Sequence, residues 1–200
     1  MSKKNSSVIL KNKFKDHEDL SSIYKKFKDK LDALRKKKFV IAISGGPDSL
    51  ALAALSKAYS NNSKSKFFYV LVNHNIRKNS AKEAIQVKSL LNKRKISLNI
   101  LSNKSTIKRN IQGQARDIRY NLLANFCKKK NVSTILTAHN LEDQVETFFI
   151  RLSRGSGLTG LSAMSDLTNL NKGIKLFRPM LDIKKKIFDQ NIEVCIRFIF

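Results

Sequence analysis

Six consecutive residues carry the densest chemistry in this chain: Ser44, Gly45, Gly46, Pro47, Asp48 and Ser49. A short β-branched apolar run precedes them and a helical pattern follows. A loop between a strand and a helix start is an anion cradle, because the first N–H groups of the helix are unpaired and its dipole is positive there. Adjacent glycines let the backbone approach an anion closely and tolerate positive φ. Pro47 suits the first helical turn, where its missing N–H costs nothing. Ser44 and Ser49 supply hydroxyls, and Asp48 can hold a magnesium ion beside bound phosphates. No lysine follows the glycines, so this is not the GxxxxGK[ST] phosphate loop.

Two further clusters hold groups suited to proton or phosphate chemistry. His139, Glu142, Asp143 and Glu146 follow an apolar run and enter a helical pattern. Asp143 and Glu146 are three residues apart and share a helix face. Such acids could bind magnesium or a cationic substrate; they are also ordinary partners of a helix dipole. Arg116 and Arg119 lie three apart on another helix and could hold an α-phosphate as charge builds on it. A solvated basic face is the plainer alternative. Residues 155–160 spell GxGxxG but trail a helix rather than a strand, so a dinucleotide fingerprint fails its context. Arg151 and Arg154 nearby either complement the helix end or touch phosphates.

Apolar periodicity supplies the elements that must position these groups. Leu20, Ile23, Tyr24, Phe27, Leu31 and Leu34 recur at helical spacing over residues 16–36. Strands are then expected at 39–43, 67–72, 96–101, 132–137 and 173–177. Helices are expected at 49–60, 80–95, 115–130 and 142–152. The strands read as continuous apolar runs, which implies burial on both faces. The expected fold class is therefore α/β, a doubly wound, mainly parallel sheet with helices on both faces. Ligands in such sheets sit beyond the carboxyl ends of the strands. That rule gathers residues 44–49, 73–78, the turn after Leu101 and residues 139–146 around one pocket. The expected organisation is a basic arm and amphipathic helix (1–36), a catalytic domain (37–186) and an atypical tail (187–200).

The chain has 200 residues, 42% of them hydrophobic, enough for one domain with a real core. Its formal charge of +25 suits a polyanionic partner, although a lysine-rich drift of composition would give the same number. The two cysteines, Cys127 and Cys195, show no metal-ligand or disulfide spacing. No apolar run is long enough to span a membrane, and the basic start lacks a secretory core, so a cytoplasmic location is expected.

The loop 44–49 fits the SGGxDS signature of the pyrophosphatase-loop ATP enzymes, which cut ATP between its α and β phosphates. Further blocks sharpen the resemblance: residues 72–77, Gln112-Gly113, Ala115-Arg116, Arg119-Tyr120, residues 137–147, residues 151–158 and Arg178-Pro179. Together they resemble the tRNA(Ile)-lysidine synthase family over roughly residues 38–186. The resemblance implies two steps. ATP adenylates the C2 oxygen of the wobble cytidine in a CAU anticodon, and the amine of free L-lysine then displaces AMP. It implies ATP and Mg2+ as cofactors, and tRNA(Ile) rather than DNA or a membrane as the polyanion. A homodimer is compatible with it. Asp48 would hold magnesium, Arg116 or Arg119 would stabilise the α-phosphate, and His139 would position the nucleotide or the cytosine. Asp143 and Glu146 would seat lysine. Asn73 departs from the family, which often has aspartate there, and the apolar tail lacks the Asp-x-Ser/Thr-Asn segment and arginine-rich helix that usually follow residue 186 in the family. A tRNA-thiolating relative would need clustered cysteines, which this chain lacks. A basic, non-catalytic RNA-binding remnant is the alternative from another class.

Overall fold

The computed structural model describes residues 18–103, 110–157, 161–170 and 173–186. Helix α1 (Glu18–Ala33) leads into β1 (Lys38–Ile43), α2 (Pro47–Asn62), β2 (Lys66–Asn73), α3 (Ser80–Lys93) and β3 (Leu98–Ser102). Next come α4 (Ile111–Lys130), β4 (Thr134–Leu136), α5 (Leu141–Ser153), β5 (Leu167–Asn169) and β6 (Lys175–Phe177). The strands form one sheet in the order β3-β2-β1-β4-β6-β5. All pairings are parallel except β5 with β6 at one edge. The expected fold class is what the structure shows.

Strand alternation divides the core. Phe39, Ile41 and Ile43 of β1 point into a cluster with α1, α2 and α3. Val40, on the opposite face, joins Leu123, Ala124 and Cys127 of α4. Helix α2 packs closely because its buried residues are mostly small: Ser49, Ala51, Ala53, Ala54, Ser56 and Ala58. Helix α1 is polar on average but fully buries Phe27 and nearly buries Leu20 and Leu31. At roughly 1.5–3 kcal/mol per buried side chain, these outweigh its weak overall hydropathy. Its Lys30 ties the far end of the sheet, bonding Asp182 at 2.8 Å and lying 3.3 Å from Asp166.

Several boundaries differ from the sequence expectation. Helix α4 begins at Ile111 because Asn110, held in the left-handed region at φ 42°, accepts the Gly113 N–H and caps it. Asn131 (φ 53°) ends the same helix, its N–H returning to the Cys127 and Lys128 carbonyls. The strand expected at 132–137 pairs only over Thr134–Leu136, and the one at 173–177 only over Lys175–Phe177. β5 went unpredicted because Leu167-Thr168-Asn169 has one apolar residue, and none of the three is buried.

The order of the sheet fixes where a ligand belongs. From β1 the chain winds outward through β2 and β3, then returns to place β4 on the other side of β1. The switch point therefore lies between the carboxyl ends of β1 and β4, where doubly wound sheets open a crevice.

Candidate active site

A cavity of about 410 Å3 occupies that crevice. Its walls come from the loop after β1, residues 73–77 after β2, residues 137–139 after β4 and one face of α4. Of the residues singled out from sequence, Ser44, Gly46, Asp48, Ser49, Arg119 and His139 line it. Gly45, Pro47, Arg116, Asp143 and Glu146 are not among its lining.

The loop after β1 is folded against itself. The Gly45 N–H donates to Ser49 Oγ at 3.1 Å, and the same hydroxyl donates to the Gly46 carbonyl at 2.8 Å. Gly45 alone uses a left-handed φ, +92°, and a Cβ there would sit 2.8 Å from Val87 Cγ2 of α3. Gly46 has an ordinary φ of −75° and is the N-cap of α2, with Pro47 opening the helix. No side chain caps that helix start. An uncapped helix start at a cavity wall presents its N–H groups and positive dipole to an anion.

Helix α5 is built the other way. The Asn140 side chain accepts the Asp143 N–H at 3.1 Å, and the Asp143 carboxylate accepts the Asn140 N–H at 2.9 Å. This reciprocal box satisfies the helix start internally, so α5 offers no anion site. It also explains why Asp143 stands outside the cavity lining: one of its oxygens is spent on the cap. Glu142 accepts the Lys185 N–H at 2.7 Å. Glu146 is exposed on the same helix.

The basic side of the cavity is asymmetric. Arg119 reaches the cavity wall, whereas Arg116 lies over the Tyr120 ring, 5.2 Å from its centre. His139 is oriented by Thr137, whose Oγ1 lies 2.9 Å from Nδ1. Burial holds the His139 pKa below the ordinary imidazole value; Arg178, Arg116 and Arg119 push the same way and Asp143 opposes them. Burial and Arg119 likewise lower His74.

Depressed imidazole pKa values make folding pH-sensitive. The unfolded chain binds protons to these histidines more tightly than the folded one, so stability rises with pH. The contribution is full above the ordinary value of 6.5 and is lost as pH falls toward the lowered folded values. The urea midpoint is expected to fall between about pH 7.5 and about pH 5.5, and His74→Gln with His139→Gln should flatten that fall. An equal fall in the doubly substituted chain would contradict this assignment.

Sequence reasoning gave no site role to His74, Arg77, Glu83 or Tyr120, all of which line the cavity. Both ring nitrogens of His74 are buried without a hydrogen-bond partner among the described residues. Arg77 pairs with Glu83 at 2.9 Å on the cavity wall. The carboxyl-end rule places His74, which directly follows β2, at this pocket within the segment 73–78, but assigns it no role of its own. Glu83 gave no signal, since an acid in a helix's first turn is commonplace. Arg178, just past β6, is buried, and its Nη1 donates to the Ser165 carbonyl and to Thr168 Oγ1, both at 2.8 Å. It anchors β5 and sits close enough to bias His139. Residues 104–109, which include most of the turn after Leu101, and residues 158–160 of the GxGxxG segment lie outside the described residues.

Comparisons with known proteins agree with this geometry. The family described as a PP-loop domain matches residues 17–195. A tRNA(Ile)-lysidine synthase of Wolbachia pipientis is 44% identical over 148 residues, covering 72% of this chain and 34% of that protein. One from Orientia tsutsugamushi is 38% identical over 162 residues, covering 78% and 36%. The chain thus spans about a third of the length of these relatives. Among solved structures, a U34-tRNA thiolase of Methanococcus maripaludis superposes with a TM-score of 0.72 over 90% of this chain and 64% of its own, at 18% identity. An NH3-dependent NAD synthetase of Campylobacter jejuni gives 0.53 over 98% and 77%, at 17% identity. These two likenesses speak to the fold alone. With its loop after β1, its switch-point cavity and a match across most of its length, the chain belongs to the PP-loop domain family.

Proposed function

We propose that this chain uses ATP to adenylate the C2 oxygen of the wobble cytidine in CAU-anticodon tRNA(Ile), then joins free L-lysine to C2 to form lysidine. The observation that carries the reading is the uncapped start of α2 at a switch-point cavity also lined by Asp48, Arg119 and His139. Relatives bearing the lysidine synthase name support the choice of substrate.

In this reading the α2 N-terminus and the Ser44 hydroxyl hold the departing pyrophosphate, and the Ser49 hydroxyl, bonded to Gly45 and Gly46, holds the loop in shape. Among the described residues no cluster of three or more metal-ligating side chains occurs. Magnesium needs only one or two carboxylates when phosphates complete its shell. Asp48 is the fitting ligand, and the ion would neutralise phosphate charge. Arg119 faces the α-phosphate as negative charge develops, and the neutral His139 holds the nucleotide or the base. Arg116, which lies over Tyr120 on the same helix, would act as a second guanidinium that orients the base. Attack by the lysine amine expels AMP and requires loss of a proton, for which Glu146 or Asp143 is the acceptor. The same two acids attract the cationic substrate.

The cationic surface adds the sequence-independent part of RNA affinity, which weakens steeply with salt. No helix among the described residues is long and apolar enough to cross a membrane. A cytoplasmic enzyme fits this substrate, and a homodimer remains compatible with it. The reading is tested by ATP-dependent transfer of labelled lysine to CAU-anticodon tRNA(Ile); no transfer with correctly folded, ATP-binding protein counts against it.

A further inference from the structure

Each of the five parallel strands starts among cations. Residues 35–38 bring four to the start of β1, Lys64 and Lys66 two to β2, and residues 93–95 three to β3. Residues 128–130 bring three to β4, and Lys175 one to β6. The connections 34–38, 63–66, 93–97, 128–133 and 173–175 hold these thirteen cations and no aspartate or glutamate. All thirteen are exposed except Arg94, which is half-buried. Because the strands are parallel, their starts share one end of the sheet: Lys38 pairs with Lys66, and Thr134 with Lys175. With strands roughly 4.8 Å apart, that end is about 19 Å wide. It lies opposite the cavity, since six residues of β1 separate Lys38 from Ser44, ~20 Å at about 3.3 Å each.

Ordinary causes do not account for this end. Lys93 and residues 128–130 lie in the last turns of helices and complement their dipoles. The other nine cations lie outside the helices. A lysine-rich composition would not sort the acids, yet α5 carries Glu142, Asp143 and Glu146 against Arg151 alone. The like charges are also pressed together. Lys38 and Lys66 are direct neighbours across two strands, and the Lys66 and Lys130 ammonium groups lie 5.3 and 5.9 Å from the centre of one ring, Phe68. Such pairs destabilise a sheet, and an anion over them would remove that cost. Asp32, the acid nearest in sequence, is already engaged by Lys28 at 2.7 Å and by the Tyr59 hydroxyl at 2.5 Å.

The surroundings of the charges select the partner. Leu34, Ile96, Val132 and Ile174 of these connections pack into the core, so the end has no apolar anchor for a membrane. Phe68 and Phe126 are half-buried, edge-to-face with each other and covered by lysines, so they offer no platform for unpaired bases. A second copy would set cations against cations. What remains is a run of phosphates contacted without reading bases. We propose that the end of the sheet where the strands start is a second RNA-binding surface, which grips the phosphate backbone of a duplex segment away from the cavity. RNA as the source of those phosphates rests on the reading given for the cavity.

Two triple variants of the full chain test this. Lys37→Gln, Lys128→Gln and Lys129→Gln neutralise the basic end. Lys25→Gln, Lys26→Gln and Lys88→Gln remove the same charge from exposed sites on α1 and α3. Urea unfolding establishes that both variants fold. Binding to a blunt RNA duplex is then measured across a salt titration. The first variant is expected to bind at least about tenfold more weakly, with a slope of log K against log salt about two to three units shallower, and the second to change less than about twofold. Equal losses in the two variants would overturn the proposal, because net charge rather than this face would then set the affinity. Tighter binding of a DNA duplex than of the RNA duplex, or a loss confined to phosphatidylserine vesicles, would overturn it in favour of another polyanion. The duplex offers the cavity no unpaired cytidine, so this result and that of lysine transfer stand or fall separately.

Discussion

Asp48→Asn is expected to lower ATP-dependent lysine transfer by roughly a hundred- to thousandfold while leaving the fold intact, because one carboxylate would supply the protein's share of phosphate neutralisation. The side chain lines the cavity in the first turn of α2, beside the uncapped helix start. Asparagine keeps its size and its fit to a helix's first turn, so thermal unfolding should move little. The deficit should fall on kcat more than on tRNA affinity, because the basic surface that supplies non-specific RNA binding is unchanged. Turnover measured across a magnesium titration checks this. Wild-type turnover in Asp48→Asn would remove Asp48 from the reaction.

Asp143→Asn is the second large effect. Asp143 has two roles to separate: it closes the cap with Asn140, and it is proposed to seat lysine. The asparagine amide oxygen can still accept the Asn140 N–H, so the cap survives while the charge is lost. The KM for lysine should rise about tenfold or more, the equivalent of ~1.4 kcal/mol, with unfolding and ATP affinity unchanged. Asn140→Ala provides the contrast, since it breaks the cap, costs about 1 kcal/mol of stability and leaves the Asp143 charge in place. If Asp143→Asn leaves the lysine KM alone and Asn140→Ala accounts for every defect, Asp143 is a capping residue and the lysine seat falls to Glu146.

Much of the architecture around the candidate site follows from local sequence rules. The strand, loop and helix around residues 44–49 announced themselves because each obeys a local rule: apolar run, glycine turn, proline at the first helical position. The parallel sheet followed from strands apolar on both faces, since Phe39 and Val40 need cover on opposite sides. What escaped depended on tertiary context. Arg116 and Arg119 look equivalent on a helix net, yet only Arg119 lines the cavity, while Arg116 lies over Tyr120. Asp143 reads as a site acid, but its geometry as a cap partner becomes visible only when Asn140 is seen with extended backbone. Among the glycines of the loop, sequence alone could not say which one takes the positive φ. The structure gives it to Gly45 (φ +92°), where Val87 on a neighbouring helix would also lie 2.8 Å from an added Cβ.

The central claim is that this cavity activates an RNA base with ATP for attack by lysine. Its most direct test combines this chain, CAU-anticodon tRNA(Ile), ATP, magnesium and labelled lysine, followed by nuclease digestion of the recovered tRNA. The account predicts label in a single modified cytidine, dependent on ATP, with one AMP released per lysine incorporated. Label that enters without ATP, or AMP released with no lysine joined to cytidine, would contradict it.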